Sequence, residues 1–208
     1  MNQKIFIGIC NSQDEVPAWL FWSFIRLKCD FPSAIFRSDR PWDVIRNNRI
    51  IHAFLKSDCT ILAKMDVDQV YPENYFERLI PLCERWKVAG PLIHDRWKDN
   101  GYMPLAFDEV NGGMFPVHKM NLVGVENQVI DIPYPHTNLL YHREVLEKIP
   151  APWYEAHLSE NGLERKNHVD YTFIDKIHKA GYRCMIDLGC EVGHKEIRFV
   201  MSKNANDR

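Results

Sequence analysis

None of the six cysteines, Cys10, Cys29, Cys59, Cys83, Cys184 and Cys190, forms a Cys-x-x-Cys pair. That absence argues against zinc knuckles and thioredoxin-type redox centres. No apolar run approaches the ~20 residues a membrane-spanning helix needs, so stable membrane insertion is not expected. The apolar start Lys4-Ile5-Phe6-Ile7-Gly8-Ile9 is too short for a secretory leader and leads directly into polar residues. The expected compartment is a reducing cytoplasm. Neither sign of charge is in excess: the net charge of −2 gives no electrostatic case for wholesale nucleic-acid binding, although a local basic groove stays compatible with it. Gly-x-Gly-x-x-Gly, the Walker loop, Gly-x-Ser-x-Gly and His-Glu-x-x-His are all missing. Dehydrogenase, NTPase, serine hydrolase and zinc protease readings lose their support accordingly. Repeats and low-complexity segments are absent too.

What remains is an ordinary globular chain of 208 residues, 46% hydrophobic and 26% charged. Its length fits one domain with a sizeable core. The stretch that organises it is Thr60-Ile61-Leu62-Ala63-Lys64-Met65-Asp66-Val67-Asp68, an apolar run closed by two carboxylates. Such a run reads as a buried strand entering the loop at its carboxyl end, where open α/β sheets gather ligands. An extended backbone would point Asp66 and Asp68 to the same side. Two carboxylates so placed repel unless a cation lies between them, and hard oxygen donors suit Mg²⁺ or Mn²⁺, which can in turn hold a diphosphate. The plainer alternative is a solvated acidic turn.

In chain order, residues 5–10 read as a first strand, followed by a helix from Pro17 whose broad apolar surface should pack on the sheet. Residues 33–37 read as a second strand, with Asp39 following at the same edge. Residues 41–56 read as a helix with Val44, Ile45, Asn48, Ile51 and Leu55 on one face. The strand before Asp66 comes next, then a helix over 73–86 and a strand over 87–93. This alternation indicates a mostly parallel sheet with right-handed crossovers over the first 95 or so residues. Between 94 and 135, Gly and Pro break the pattern. The segment is either a functional lid or acceptor-binding loop or a set of short irregular strands. Residues 136–142 read as a strand, 143–149 as a short helix stopped by Pro150, and 168–180 as a helix with Asn167 as N-cap and Gly181 just past its end. Strands over 182–188 and 190–194 finish the sheet.

Two further positions carry chemistry. Asp170 lies in the first turn of its helix, where the macrodipole favours the ionised form a general base requires; a capping acid is the alternative. His194 follows Gly193 at the end of an apolar strand, and a surface histidine is the alternative there.

In sequence order these pieces resemble a GT-A glycosyltransferase of the family 2-like group. The opening strand is similar to that family's nucleotide-binding strand, and Arg46-Asn47 to the Arg-Asn on the helix before the acidic pair. Met65-Asp66-Val67-Asp68 with Tyr71-Pro72 resembles the Asp-x-Asp strand and the aromatic-Pro after it. Residues 139–146 resemble the strand-to-helix element after the acceptor region. Val169-Asp170-Tyr171-Thr172-Phe173 with Gly181-Tyr182 resembles the Glu-Asp element, and Val192-Gly193-His194 the late metal-binding histidine. Val169 stands where the family has Glu, and His136-Thr137-Asn138 where small residues are common.

The resemblance implies an α/β GT-A (Rossmann-like) domain over 1–208, with a mostly parallel central sheet flanked by helices, a nucleotide-binding half (1–95) and an acceptor-binding half (96–208). It implies a transferase that moves a sugar from a nucleotide-sugar donor, a UDP-sugar foremost, to an acceptor hydroxyl on a glycan, a protein or a modified DNA base. Asp68 and His194 would bind Mn²⁺ (or Mg²⁺), with Asp66 contributing directly or through water and the donor ribose. Ile9, Cys10, Asn11, Asp39 and Arg46 would hold the nucleoside, and Asp170 would serve as base if the reaction inverts. Two other classes stay open. A nucleotidyltransferase would show a Gly-rich basic loop where Asn11-Ser12-Gln13-Asp14 stands, and a non-catalytic carbohydrate-binding relative would have no need of these acids.

Overall fold

The structure, a computed structural model, describes residues 4–11, 18–29, 32–39, 42–94, 106–110, 113–116, 128–161 and 168–194. Five apolar segments supply the central sheet: β1 (Ile5–Cys10), β2 (Ser33–Ser38), β3 (Ile61–Asp66), β5 (Val88–Ile93) and β11 (Met185–His194). Strands β1, β3 and β5 carry near-continuous apolar runs because both faces of a helix-covered sheet are buried. The sheet order is β2-β1-β3-β10-β5-β11-β4, where β4 is Gln69–Val70 and β10 is Leu140–His142. β2, β1 and β3 run parallel, as do β5 and β11. β10 lies antiparallel between β3 and β5. A further short strand, β8 (Val129–Asp131), pairs antiparallel with β11. The sheet is therefore mixed, with one reversed strand at its centre.

Helices cover both faces. Helices α2 (Asp43–Lys56), α4 (Arg143–Lys148) and α5 (Val169–Lys179) pack on one side, around Phe6, Ile50, Phe54, Leu62, Tyr141 and Phe173. On the other side, α1 (Ala18–Arg26) and α3 (Tyr75–Trp86) close over Ile5, Ile7, Ile61, Ala63, Leu79 and Val192. Helix α2 can sit close on β1 because Gly8 has no side chain; a Cβ there would run into Ile50.

Several expectations need correction. The inner face of α2 is Asn47, Ile50, Ile51 and Phe54, rotated from the expected stripe, and Ile45 is exposed. Helix α1 buries Leu20 and Ser23 but leaves Phe21, Trp22 and Ile25 more than half exposed, so only part of its apolar surface meets the sheet. Residues 185–194 form one strand, with a bulge between Asp187 and Glu191, rather than two. Helix α5 is capped by His168, whose side chain accepts from the Asp170 N–H; Asn167, the expected cap, lies outside the described residues. Gly181 does take the left-handed conformation just past that helix, at φ 88°. Within 94–135 the described residues form short strands: β6 (Ala106–Val110) pairs with β7 (Gly113–Pro116) and with β9 (Tyr134–Pro135) in a second, antiparallel sheet, and β8 joins the first.

Candidate active site

Parallel register aligns the ends of the first three strands. Cys10 is the partner of both Ser38 and Asp66, so the carboxyl ends of β1, β2 and β3 meet at one edge. Ile9, Cys10 and Asn11 lie at the end of β1, and the Asn11 N–H donates to Ser38 O at 3.1 Å. Asp39 follows β2 and is exposed. Arg46, in the first turn of α2, is near enough to act on the Cys10 thiol, as are Lys64, Asp66 and Asp170. Burial pushes that thiol up to about 12, so Cys10 is a neutral group that donates to Asn47 Oδ1 at 3.1 Å.

The acidic pair departs from expectation in one respect. Asp66 closes β3, but Val67 and Asp68 form a turn into β4, so the alternation rule for extended chains does not govern where the two carboxylates point. Tyr71 fastens this turn. Its hydroxyl accepts from the Asp66 N–H at 2.8 Å and lies 2.8 Å from Gln69 Oε1. The phenol stays protonated because burial raises its pKa well above the ordinary value. Across the turn, antiparallel pairing of β11 with β4 sets His194 opposite Gln69. The backbone of His194 thus comes within one residue of Asp68, although these two positions are far apart in the chain. The imidazole lies outside the described side chains. Among the described residues no three His, Cys, Asp or Glu side chains gather as a metal centre. The residue types at these positions, two aspartates and a histidine, are ones that bind Mn²⁺ or Mg²⁺.

Asp170 reaches the same edge from the opposite direction. It is the second residue of α5, and its side chain is 14% exposed. Asp170 Oδ1 accepts from the Thr137 hydroxyl at 2.7 Å. Thr137 arrives there because β10 is reversed. The chain entering β10 at Leu140, opposite Ala63, must pass the carboxyl edge of β3 just beforehand.

The sequence reading missed the group at the centre. Lys64, in the middle of β3, is 3% exposed, and its Nζ donates to Asn138 Oδ1 at 2.6 Å. Asn138 Nδ2 in turn donates to Gln69 Oε1 at 2.9 Å. A continuous set of hydrogen bonds thus runs from Lys64 through Asn138 and Gln69 to Tyr71 and the Asp66 backbone. Burial alone would lower the Lys64 pKa; Asp66 foremost, with Cys10 and Asp170, outweighs it and holds the ammonium above its ordinary value. A signal was available: Lys64 shares a strand face with Asp66, two residues on, inside an otherwise apolar run.

An α/β sheet with helices on both faces, whose β1–β3 edge meets an acidic turn, a returning C-terminal strand and a helix N-terminus, is the GT-A fold. The chain matches solved structures of that class. With A197 from STIV it shares 15% identity at a TM-score of 0.54, over 96% of this chain and 97% of that one. With GalNAc-T7, solved with UDP, GalNAc and Mn²⁺, it shares 14% identity at a TM-score of 0.62, over 93% of this chain. The match spans 44% of the GalNAc-T7 chain. No protein-family model matches the sequence, and no curated protein does so significantly.

Proposed function

We propose that the chain is a metal-dependent glycosyltransferase moving a sugar from a nucleotide-sugar donor, a UDP-sugar foremost, to an acceptor hydroxyl. One observation carries the reading: positions distant in sequence converge on one sheet edge. The Asp66–Asp68 turn lies there, the backbone of His194 pairs beside it, and Asp170 is tied by Thr137 to the segment that bonds Lys64. GalNAc-T7, which has the same fold, was solved with a nucleotide and Mn²⁺, and this supports the choice of donor and cation.

In this reading Asp68 and His194 hold Mn²⁺ (or Mg²⁺), with Asp66 contributing directly or through water and the donor ribose. The bound cation supplies Lewis-acid stabilisation for the departing diphosphate. Ile9, Cys10, Asn11, Asp39 and Arg46 line the nucleoside. If configuration inverts, Asp170 accepts the proton of the acceptor hydroxyl as the new bond to the anomeric carbon forms and the bond to the diphosphate oxygen breaks. If configuration is retained, Asp170 orients the acceptor. The whole of 1–208 acts as one GT-A domain, its first 95 residues serving the nucleotide and the remainder the acceptor, which is a glycan, a protein or a modified DNA base. The chain works in the cytoplasm, where its six cysteines, none in a disulfide, stay reduced.

Thermal unfolding with a panel of nucleotide sugars, with and without Mn²⁺, tests this. One donor at about 100 times its dissociation constant should stabilise the fold by about 2.7 kcal/mol, and only with metal. Absence of any metal-dependent shift across the panel would overturn the reading.

A further inference from the structure

Lys64 is a buried charge that the proposed chemistry leaves unused. A buried ammonium carries a desolvation penalty of several kcal/mol unless it is matched. Its hydrogen bonds go to neutral partners: Asn138 Oδ1 at 2.6 Å, and a longer contact to Thr137 Oγ1 at 3.5 Å. Nζ also lies 5.9 Å from the centre of the Tyr154 ring. The carboxylates among the groups acting on it are Asp66 and Asp170. These are the two carboxylates placed at the donor and at the acceptor.

Hydrogen-bond direction completes the picture. An ammonium only donates, and a threonine hydroxyl has one hydrogen. With Nζ on its lone pair, Thr137 turns that hydrogen toward Asp170 Oδ1, 2.7 Å away. His168 Nδ1 lies 3.4 Å from Asp170 Oδ2 but accepts the Asp170 N–H, so in that state it has no proton to offer Oδ2. Oδ1 is thereby engaged, and among the described residues no hydrogen reaches Oδ2, the oxygen left for an acceptor.

We propose that Lys64 is a positioning residue, a fixed internal cation that orients Asp170 through Thr137 and anchors residues 137–138 to Gln69 beside the Asp66–Asp68 turn. At 3% exposure it does this without touching donor or acceptor. The kinetic consequence rests on the glycosyltransferase reading; the charge and hydrogen-bond arrangement does not.

The test uses the full chain with Lys64→Met, Thr137→Val and Thr137→Ser. Lys64→Met and Thr137→Val should each lower kcat about ten- to a hundredfold, the scale of a small misplacement of a reacting group. The donor KM should stay within about twofold in both, because the donor contacts are left intact. Thr137→Ser, which keeps the hydroxyl, should restore turnover, and the double variant should lose no more than the worse single one. Retained kcat in Thr137→Val, a loss confined to KM, or losses that multiply would overturn the proposal. If Lys64→Met does not fold, the Thr137 pair decides alone. If the wild type turns over no nucleotide sugar, the glycosyltransferase reading fails and melting temperatures decide this one. Asp170→Asn should then recover part of the melting loss caused by Lys64→Met, or by Thr137→Val where Lys64→Met does not fold. Strictly additive losses would overturn the pairing.

Discussion

Two buried charge clusters sit at different places on this sheet and are built differently. At the bulge of β11, Asp187 is 3% exposed, and both its oxygens are taken by one guanidinium: Arg78 Nε and Nη2 each donate at 2.8 Å. The Gly189 N–H adds a third bond at 3.0 Å. At the carboxyl edge, by contrast, Lys64 directs its hydrogen bonds to neutral groups while the carboxylates of Asp66 and Asp170 stand around it. The first cluster is closed on itself, as a fork-to-carboxylate pair is. The second matches charge at a distance, and the Asp170 side chain there stays 14% exposed. The difference separates a pair that is complete within the fold from the charge to which the proposed function assigns a ligand.

Three substitutions can break or sharpen that contrast. Asp68→Asn should have the largest effect, abolishing metal-dependent turnover, on the order of a thousandfold, because several kcal/mol of Lewis-acid stabilisation go with it. Its melting temperature should hold, since neutralising one member of a like-charged pair relieves repulsion. Unfolding of this variant, or full turnover with metal, would merge the two clusters into one kind. Arg78→Ala should do the reverse. It strands a buried carboxylate and should lower stability by about 3 kcal/mol in urea titration, with turnover per folded molecule unchanged. A specific loss of turnover at wild-type stability would contradict the division.

The smallest effect sharpens it at a half-buried site. His142 caps α4 by accepting the Glu144 N–H, and burial, with Lys87 nearby, holds its pKa below the ordinary value near 6.5. The native state therefore binds its proton later than the unfolded chain does. Stability should be full above about pH 6.5 and should decline as the pH falls from there through the lowered native pKa. His142→Asn keeps a capping side chain and removes the titration, so it should flatten that decline. An unchanged slope in the variant would assign the decline to other groups.

The frame was legible because buried strands advertise themselves. Ile5–Cys10 and Val88–Ile93 are apolar runs with no competing pattern, and Gly181 marked the end of α5. The phase of α2 was not legible, since a polar residue, Asn47, occupies the buried face while Ile45 lies outside it. The reversal of β10 was hidden because no helical pattern stands between β5 and β10 in the sequence to set a crossover, so nothing in the pattern fixes its direction. Whether the backbone stays extended from Asp66 to Asp68 was not legible, because period-two reasoning cannot see the Tyr71 hydroxyl that accepts the Asp66 N–H at the turn. Lys64 escaped notice because a lysine within an apolar run reads as an outward residue, and only the packed sheet shows that it faces two acids.

The reversed β10 has a consequence for how this scaffold can vary. Because that strand runs against its neighbours, the residues just before it, Thr137 and Asn138, arrive at the carboxyl edge of β3 and bond Asp170 and Lys64. The chain ahead of them can vary only so far as these two residues keep their contacts to Lys64, Gln69 and Asp170.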